Sequence, residues 1–238
     1  MIFMILFHLL FIAEAERFRN PMENHDLYLG DIAGIDEEDR NALVNNAYRW
    51  PSGVIPYVID TGLENYSNQI EKAMKYLSDR TCLKFVRREK EKDYIRIFSG
   101  DGCYSHWGMT GNIQPLSLGD GCYDLGTIIH ELTHAIGFKH EQNRSDRDDY
   151  LYIYYDNIQP GYEGNFIKLK PHENRLINEF DYYSIMIYSE TSFSVDGKRK
   201  TMEAKKAGVV LTDVFYRFPT ASDIYRNNVL YECKDFLE

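Results

Sequence analysis

The feature that most constrains this chain is the run HELTHAIGFKH at residues 130–140, which holds three histidines, a glutamate and a glycine. Residues four apart share one face of an α-helix, so His130 and His134 are predicted to offer two imidazoles to one metal ion. Gly137 allows the sharp left-handed turn that ends such a helix and returns His140 as a third ligand. The spacing therefore predicts a helix that ends at a metal site.

Zinc suits this set of donors, because a catalytic zinc site takes three protein ligands and keeps one position for water. Bound Zn²⁺ lowers the pKa of that water to about 7. Glu131 stands within reach of the water without being a ligand, which predicts a general base. HExxH alone also occurs on helices that bind no metal, but helix packing does not require the added glycine and third histidine.

The extended motif continues into Glu141 and Gln142 and resembles the astacin family of metzincin zinc endopeptidases. Other segments fall in the order typical of that family and extend the likeness over nearly the whole chain, namely residues 50–57, 81–86, 102–103, 126–129 and 230–233. The resemblance implies one Zn²⁺ per chain and an α+β fold of two lobes. The N-terminal lobe would hold a twisted mixed sheet and the active-site helix, and the C-terminal lobe would be mostly irregular.

Residues 184–188, SIMIY, resemble the Met-turn of the family. The resemblance implies that Met186 lies beneath the zinc. It also implies that Tyr188 ligates zinc at rest and then swings to stabilise the oxyanion. Without the resemblance, residues 182–188 would be interpreted as a buried strand. Ile187 replaces the histidine usual in the family, at a position that is not a ligand.

The first residues predict secretion. Residues 1–12 are almost wholly apolar, and Ala13-Glu14-Ala15 fits the small-residue cleavage pattern of a signal peptide. The run is shorter than the roughly 20 apolar residues that span a bilayer, so a signal peptide over residues 1–15 is favoured over a membrane anchor. The alternative that remains is a signal anchor, because the first residues lack Lys and Arg.

An acidic segment at residues 16–40 is interpreted as an activation propeptide. Residues 28–31, YLGD, resemble the inhibitory FxGD element of the family, which implies that Asp31 ligates zinc before activation. The alternative is that Asp31 is a solvated acidic residue. An activating protease would cut after Arg40 and start the catalytic domain, residues 41–238. By resemblance, the new amino group of Asn41 would be buried near Glu141.

The four cysteines of a secreted chain are candidates for disulfides, and the spacing leaves three pairings open. The resemblance implies Cys82 with Cys233 and Cys103 with Cys122. Two sequons, at Asn65 and Asn143, are candidate sites of N-glycosylation, and Asn65 is the favoured one.

Charge and patterning indicate the partners. The formal net charge of −10 gives no basic surface for nucleic acid, and no polybasic run predicts membrane binding. A monomer that diffuses freely is expected. Strands are predicted at residues 54–59 and 94–98, and helices at about 67–77 and 125–136.

Protein or peptide substrates are expected to bind in extended form along an exposed sheet edge, which the resemblance places at residues 103–108. Arg217 is considered as a residue that selects acidic side chains just after the cut bond. The predicted function is that of a secreted zinc metalloendopeptidase made as a latent zymogen. The alternatives are a secreted zinc-containing binding or signalling module without turnover, and a zinc hydrolase of a non-peptide substrate.

Overall fold

The computed structural model describes residues 20–34 and 48–237. Residues 20–34 are called the leader segment, residues 48–140 the first lobe and residues 141–237 the second lobe. The predicted signal peptide, Arg40 and Asn41 lie outside the described residues.

A six-stranded mixed sheet forms the frame of the first lobe. Its strands are β1 (Ile32–Ala33), β2 (Val54–Ile59), β3 (Lys84–Arg87), β4 (Tyr94–Phe98), β5 (Cys103–His106) and β6 (Ile113–Leu118). They lie in the order β1-β5-β6-β4-β2-β3, and only the β5–β6 pair is antiparallel. The leader segment thus supplies one edge strand, with Ile32 opposite Ser105 and Ala33 opposite His106.

Two helices pack with this sheet into an apolar core. Helix α1 (Ser67–Ser78) buries four residues at helical spacing, Ile70, Ala73, Met74 and Leu77. Helix α2 (Leu125–Ile136) is buried along almost its whole length. Both helices and the strands at residues 54–59 and 94–98 confirm the predictions from sequence periodicity.

The second lobe contains little regular structure. Its elements include the two-stranded pair β7 (Leu151–Ile153) and β8 (Met202–Ala204), helix α3 (Ala221–Leu230) and several single 3₁₀ turns. Helix α3 begins with a capping box in which Thr220 accepts from the backbone N–H of Asp223 and the Asp223 side chain accepts from that of Thr220. The two-lobed α+β prediction is confirmed.

Disulfides join Cys82 to Cys233 and Cys103 to Cys122, which confirms the pairing implied by the resemblance. The first bond closes a separation of 151 residues and links the second lobe to the first. In the chain-entropy model the two bonds stabilise by about 5 and about 3 kcal/mol. Among the residues described, no helix has the length and apolar character to cross a membrane.

Candidate metal centre and active site

Helix α2 carries the first two histidines and is fixed at both ends. The Asp124 side chain caps its start by accepting from the backbone N–H of Thr127 at 2.8 Å. Gly137 ends it with a φ of 129°, and its N–H donates to the carbonyls of Thr133 and His134. This turn confirms the predicted role of Gly137 and directs the chain back towards the histidine face.

Three histidine Nε2 atoms and one carboxylate meet in a buried cluster of His130, His134, His140 and Asp31. The Nε2 atom of His140 lies 3.3 Å from that of His130 and 3.1 Å from that of His134. Asp31 Oδ2 lies 3.2 Å from His130 Nε2 and 3.0 Å from His140 Nε2, and Asp31 Oδ1 lies 3.3 Å from His134 Nε2.

Backbone carbonyls set the orientation of two of these rings. His130 Nδ1 donates to the Ile185 carbonyl at 2.7 Å, and His134 Nδ1 donates to the Phe138 carbonyl at 2.7 Å. A carbonyl can only accept, so in each neutral ring the proton is on Nδ1 and the Nε2 lone pair faces the cluster. The rings are therefore oriented as ligands.

This geometry fits zinc. Ligand atoms at about 2.1 Å from a tetrahedral Zn²⁺ stand about 3.4 Å apart, close to the separations within the cluster. Lone pairs at these distances repel one another unless a cation lies between them, and a carboxylate as fourth ligand satisfies the charge. The structure thus brings together the four residues that the sequence selected as zinc ligands.

Glu131 lies beside the cluster without joining it. It is fully buried, and in the described part of the chain neither of its carboxylate oxygens has a hydrogen-bond partner. Burial raises the pKa of this carboxyl well above its usual range, and the Asp31 carboxylate raises it further. A buried carboxyl with a high pKa and free oxygens beside a metal site can take up and release a proton.

Tyr188 packs its ring against His140, with ring centres 4.4 Å apart. Its hydroxyl donates to the backbone carbonyl of Leu29 in the leader segment. Burial raises the pKa of this phenol, so the hydroxyl stays protonated and acts as a donor. The leader segment therefore holds the Tyr188 hydroxyl in this structure.

Residues 182–188 form turns instead of the strand that the apolar pattern indicates. Asp223 decides this, because it accepts from Ser184 Oγ at 2.6 Å and from the backbone N–H of Ile185 at 2.9 Å. The Met186 carbonyl accepts from the backbone N–H of Glu141 at 2.8 Å, which ties this turn to the segment that carries His140.

Arg217 is not placed to select substrates, and that hypothesis was wrong. The side chain is buried, and its Nη1 donates to the carbonyls of Ser184 and Ile187 at 3.0 and 2.9 Å. With these two hydrogen bonds the guanidinium stabilises the turn at residues 184–188, and it does not face a substrate.

The leader segment enters the site through a glycine. Gly30 has a φ of +88°, and a Cβ there would come within 2.7 Å of the Tyr188 hydroxyl and 2.6 Å of the Phe193 ring. Both the backbone conformation and the lack of space require glycine. The next residue, Asp31, reaches the histidines, and its carbonyl accepts from the backbone N–H of Ser105 at 3.0 Å.

Glu141 follows the third histidine and is buried between two arginines. Its carboxylate accepts from Arg144 at 3.0 Å and from Arg226 at 2.7 and 2.8 Å. No sequence pattern predicts the Arg226 contact, which joins positions 85 residues apart. The predicted partner Asn41 lies outside the described residues.

The two sequons differ in accessibility. Asn65 is exposed on a 3₁₀ turn, as a glycan requires. Asn143 is buried, and its Nδ2 donates to the carbonyls of Asn165 at 3.0 Å and Ile167 at 2.7 Å. The packing has no room for a glycan on this nitrogen, which argues against Asn143 as a glycosylation site.

A chain with this fold and this cluster of three histidines belongs to the class of zinc metalloenzymes. The peptidase family described as Astacin matches residues 42–232. The chain is 46% identical over 199 residues to Astacin-like metalloprotease toxin 1 of Loxosceles intermedia, covering 82% of this chain and 75% of that protein. It is 40% identical over 223 residues to Zinc metalloproteinase nas-6 of Caenorhabditis elegans, covering 89% and 64%.

A solved structure agrees. High choriolytic enzyme 1, a hatching enzyme zinc-protease of the medaka Oryzias latipes, superposes with a TM-score of 0.72 at 41% identity, over 78% of this chain and 93% of that one. The chain belongs to the astacin family and is a zinc metalloendopeptidase.

Proposed function

We propose that this chain is a secreted endopeptidase of proteins, made as a zymogen in which Asp31 takes the fourth zinc position. The observation that carries the proposal is the approach of the Asp31 carboxylate to all three histidine Nε2 atoms at 3.0–3.3 Å. A carboxylate in that position excludes the water that peptide hydrolysis requires. Secretion is supported by the apolar residues 1–12 and by two disulfides, which form in oxidising compartments.

The strand pairing of the leader segment supports the mode of substrate binding. Strand β1 covers the edge of β5, and an edge that accepts one extended segment offers the same backbone groups to another. Once the leader segment leaves, protein substrates would lie along residues 103–108. The blocked edge and the blocked metal position together account for latency.

The chemistry follows from the residues beside the histidines. A zinc ion held by His130, His134 and His140 supplies Lewis acidity to water and to the peptide carbonyl. Glu131 accepts the proton of the attacking water as the new C–O bond forms, and it delivers that proton to the leaving nitrogen as the C–N bond breaks. The Tyr188 hydroxyl, released from Leu29, donates to the carbonyl oxygen as negative charge develops there.

Maturation is proposed to run through Glu141. Cleavage after Arg40 would free the amino group of Asn41, and a cavity of about 110 Å³ lined by Tyr48, Glu141 and Arg226 offers it a place. An ammonium group needs a charged partner when buried, and Glu141 is one. Extra residues ahead of Asn41 are expected to lower activity.

The test compares the full-length protein with three variants on casein, with and without a chelator. Without cleavage after Arg40, Asp31→Ala is expected to digest casein faster than the uncleaved wild type but more slowly than the activated enzyme, because the leader segment still covers β5. Asp26→Ala, at an exposed acid of the same leader segment, is expected to remain as latent as the uncleaved wild type. After activation, Glu131→Gln is expected to lose roughly 10²–10⁴-fold in rate. Equal digestion by the activated wild type and Glu131→Gln would refute the mechanism, and an uncleaved Asp31→Ala no faster than the uncleaved wild type would refute the role of Asp31 in latency.

A further inference from the structure

Lys139 lies between the metal site and the leader segment, immediately before His140. Within the described residues its Nζ atom is shielded from solvent and has no hydrogen-bond partner. The atom lies 4.8 Å from the centre of the Trp107 ring and 5.7 Å from that of Tyr28. An ammonium within about 6 Å of an aromatic ring is attracted to its face.

Tyr28 reaches this place because the leader segment folds back on itself. The backbone groups of Tyr28 and Ile32 pair at 3.1 and 3.0 Å, which sets Tyr28 beside the strand that covers β5. Leu29, Ile32 and Trp107 form a small apolar cluster against which Tyr28 also packs. The Tyr28 side chain therefore covers a surface formed by Lys139 and Trp107, next to the end of strand β5.

The charge of Lys139 is only partly balanced. The Glu173 carboxylate acts on it electrostatically, but one of its oxygens accepts from the backbone N–H of Lys170 at 2.8 Å. When the leader segment leaves, Tyr28 leaves with it and uncovers this surface of Lys139 and Trp107, which also borders the cavity of about 110 Å³ beside Glu141. Another aromatic ring can take the place of Tyr28 beside the ammonium, whereas an aliphatic side chain offers the ammonium no ring face in addition to that of Trp107.

We propose that Lys139 and Trp107 form a substrate subsite for an aromatic side chain, which Tyr28 occupies in the latent chain. The proposal rests on the proposed function, because it requires that substrates replace the leader segment along β5. Lys139 is thus a residue that determines specificity and takes no part in the chemical steps.

The first test profiles the activated enzyme on peptides that carry Tyr, Phe, Leu or Glu at each position around one cleavable bond. At one position kcat/KM is expected to be roughly threefold to tenfold higher for Tyr and Phe than for Leu. This ratio is measured within each enzyme, so it does not depend on the amount of folded protein. Lys139→Met should abolish it, Lys139→Arg should keep it, and Lys72→Met, at an exposed lysine of helix α1, should leave it at the wild-type value.

The second test uses a synthetic peptide of residues 20–34 as an inhibitor of the activated enzyme. Replacing Tyr28 by Leu in the peptide should weaken inhibition of the wild type, and this loss should be roughly threefold to tenfold smaller with Lys139→Met. Equal losses in both enzymes would overturn the subsite.

Three results of the profiling would also overturn it. These are the absence of any aromatic preference, a preference unchanged in Lys139→Met, and a wild-type preference for Glu over Tyr at that position. A wild-type enzyme that cleaves peptides without the preference contradicts the subsite alone. One that cleaves none of the peptides contradicts the proposed function as well.

Discussion

The two lobes hold their parts of the zinc site by different means. In the first lobe, helix α2 presents His130 and His134 from an apolar core that includes Ile129, Leu132 and Leu77. In the second lobe, Glu141, Arg226, Asp223 and other buried charged groups hold the turns that adjoin His140 and Tyr188.

This difference shows that a site can be rigid without regular structure on both sides. Apolar packing is non-directional, and it needs the regular shape of a helix or sheet to become specific. Hydrogen bonds to charged groups are directional and can fix an irregular turn by themselves. The turns of the second lobe beside the zinc site therefore depend on buried ion pairs and hydrogen bonds in addition to the apolar cluster that includes Tyr188 and Phe193.

The largest effect is expected from breaking the buried ion pair of the second lobe. Within the described residues, Arg226→Met leaves Glu141 with Arg144 as its remaining cationic contact, and an incompletely paired buried charge costs about 3–5 kcal/mol of unfolding free energy. Denaturant unfolding of the full chain measures this loss. Because Glu141 joins the turn that carries Met186, peptide hydrolysis by the activated variant should fall as well.

A double variant is the control. Glu141→Met combined with Arg226→Met removes the buried carboxylate together with Arg226, while Arg144 keeps its ion pair with Asp146 at 2.8 Å. The double variant is therefore expected to be more stable than Arg226→Met alone. If the double variant is the less stable one, the second lobe is not held by this ion pair in the way described.

A slightly smaller effect is expected from a cavity in the first lobe. Leu77 is fully buried on helix α1, and Leu77→Ala should cost about 2–5 kcal/mol of unfolding free energy. Unlike Arg226→Met, the variant is expected to keep wild-type kcat in the folded fraction, because the metal ligands lie on other elements than helix α1. Unfolding curves and active-site titration measure the two quantities, and a large fall in kcat would remove this distinction between the lobes.

The leader segment meets the second lobe through a carboxyl group, which predicts a dependence on pH. Burial raises the pKa of Glu23 to about 7; the backbone N–H of Phe193 opposes this shift and Asp213 adds to it. The docked form thus holds a proton that the free peptide loses above pH 4.5, so docking weakens as the pH rises through 7. Inhibition by a peptide of residues 20–34 should be about tenfold weaker at about pH 8.5 than at about pH 6.

The matched peptide with Glu23→Gln should lack this part of the pH dependence. Comparing the two peptides on the same enzyme cancels the titration of the zinc ligands. Identical pH profiles would show that Glu23 does not titrate on docking.

The smallest effect is expected from an exposed ion pair. Lys75 and Asp79 pair at 2.6 Å across one turn of helix α1, with much of both side chains in solvent. Lys75→Met should change the unfolding free energy by about 0.5 kcal/mol or less. A loss as large as that of Arg226→Met would mean that burial does not explain the contrast between the ion pairs.

The sequence predicted the first lobe better than the second. The period of apolar residues located both helices of the first lobe, because each buries one face against a neighbour. The same reasoning failed at residues 182–188, where Asp223 and Arg217 hold apolar residues in turns. These partners are distant in sequence, so no local pattern indicates the contacts. For that reason Arg217 was mistaken for a substrate contact.

By itself, the sequence determined the zinc ligands of the helix, the turn at Gly137 and the identity of Glu131, because helical geometry relates neighbouring positions directly. The sequence also suggested Asp31 as a zinc ligand. Asp31 lies 99 residues before His130, however, and helical geometry does not relate positions that far apart. Only the tertiary structure decided that this carboxylate meets the histidines, that Arg226 neutralises Glu141 and that Tyr28 covers Lys139. These contacts depend on how the chain packs over long separations, and local spacing does not encode that packing.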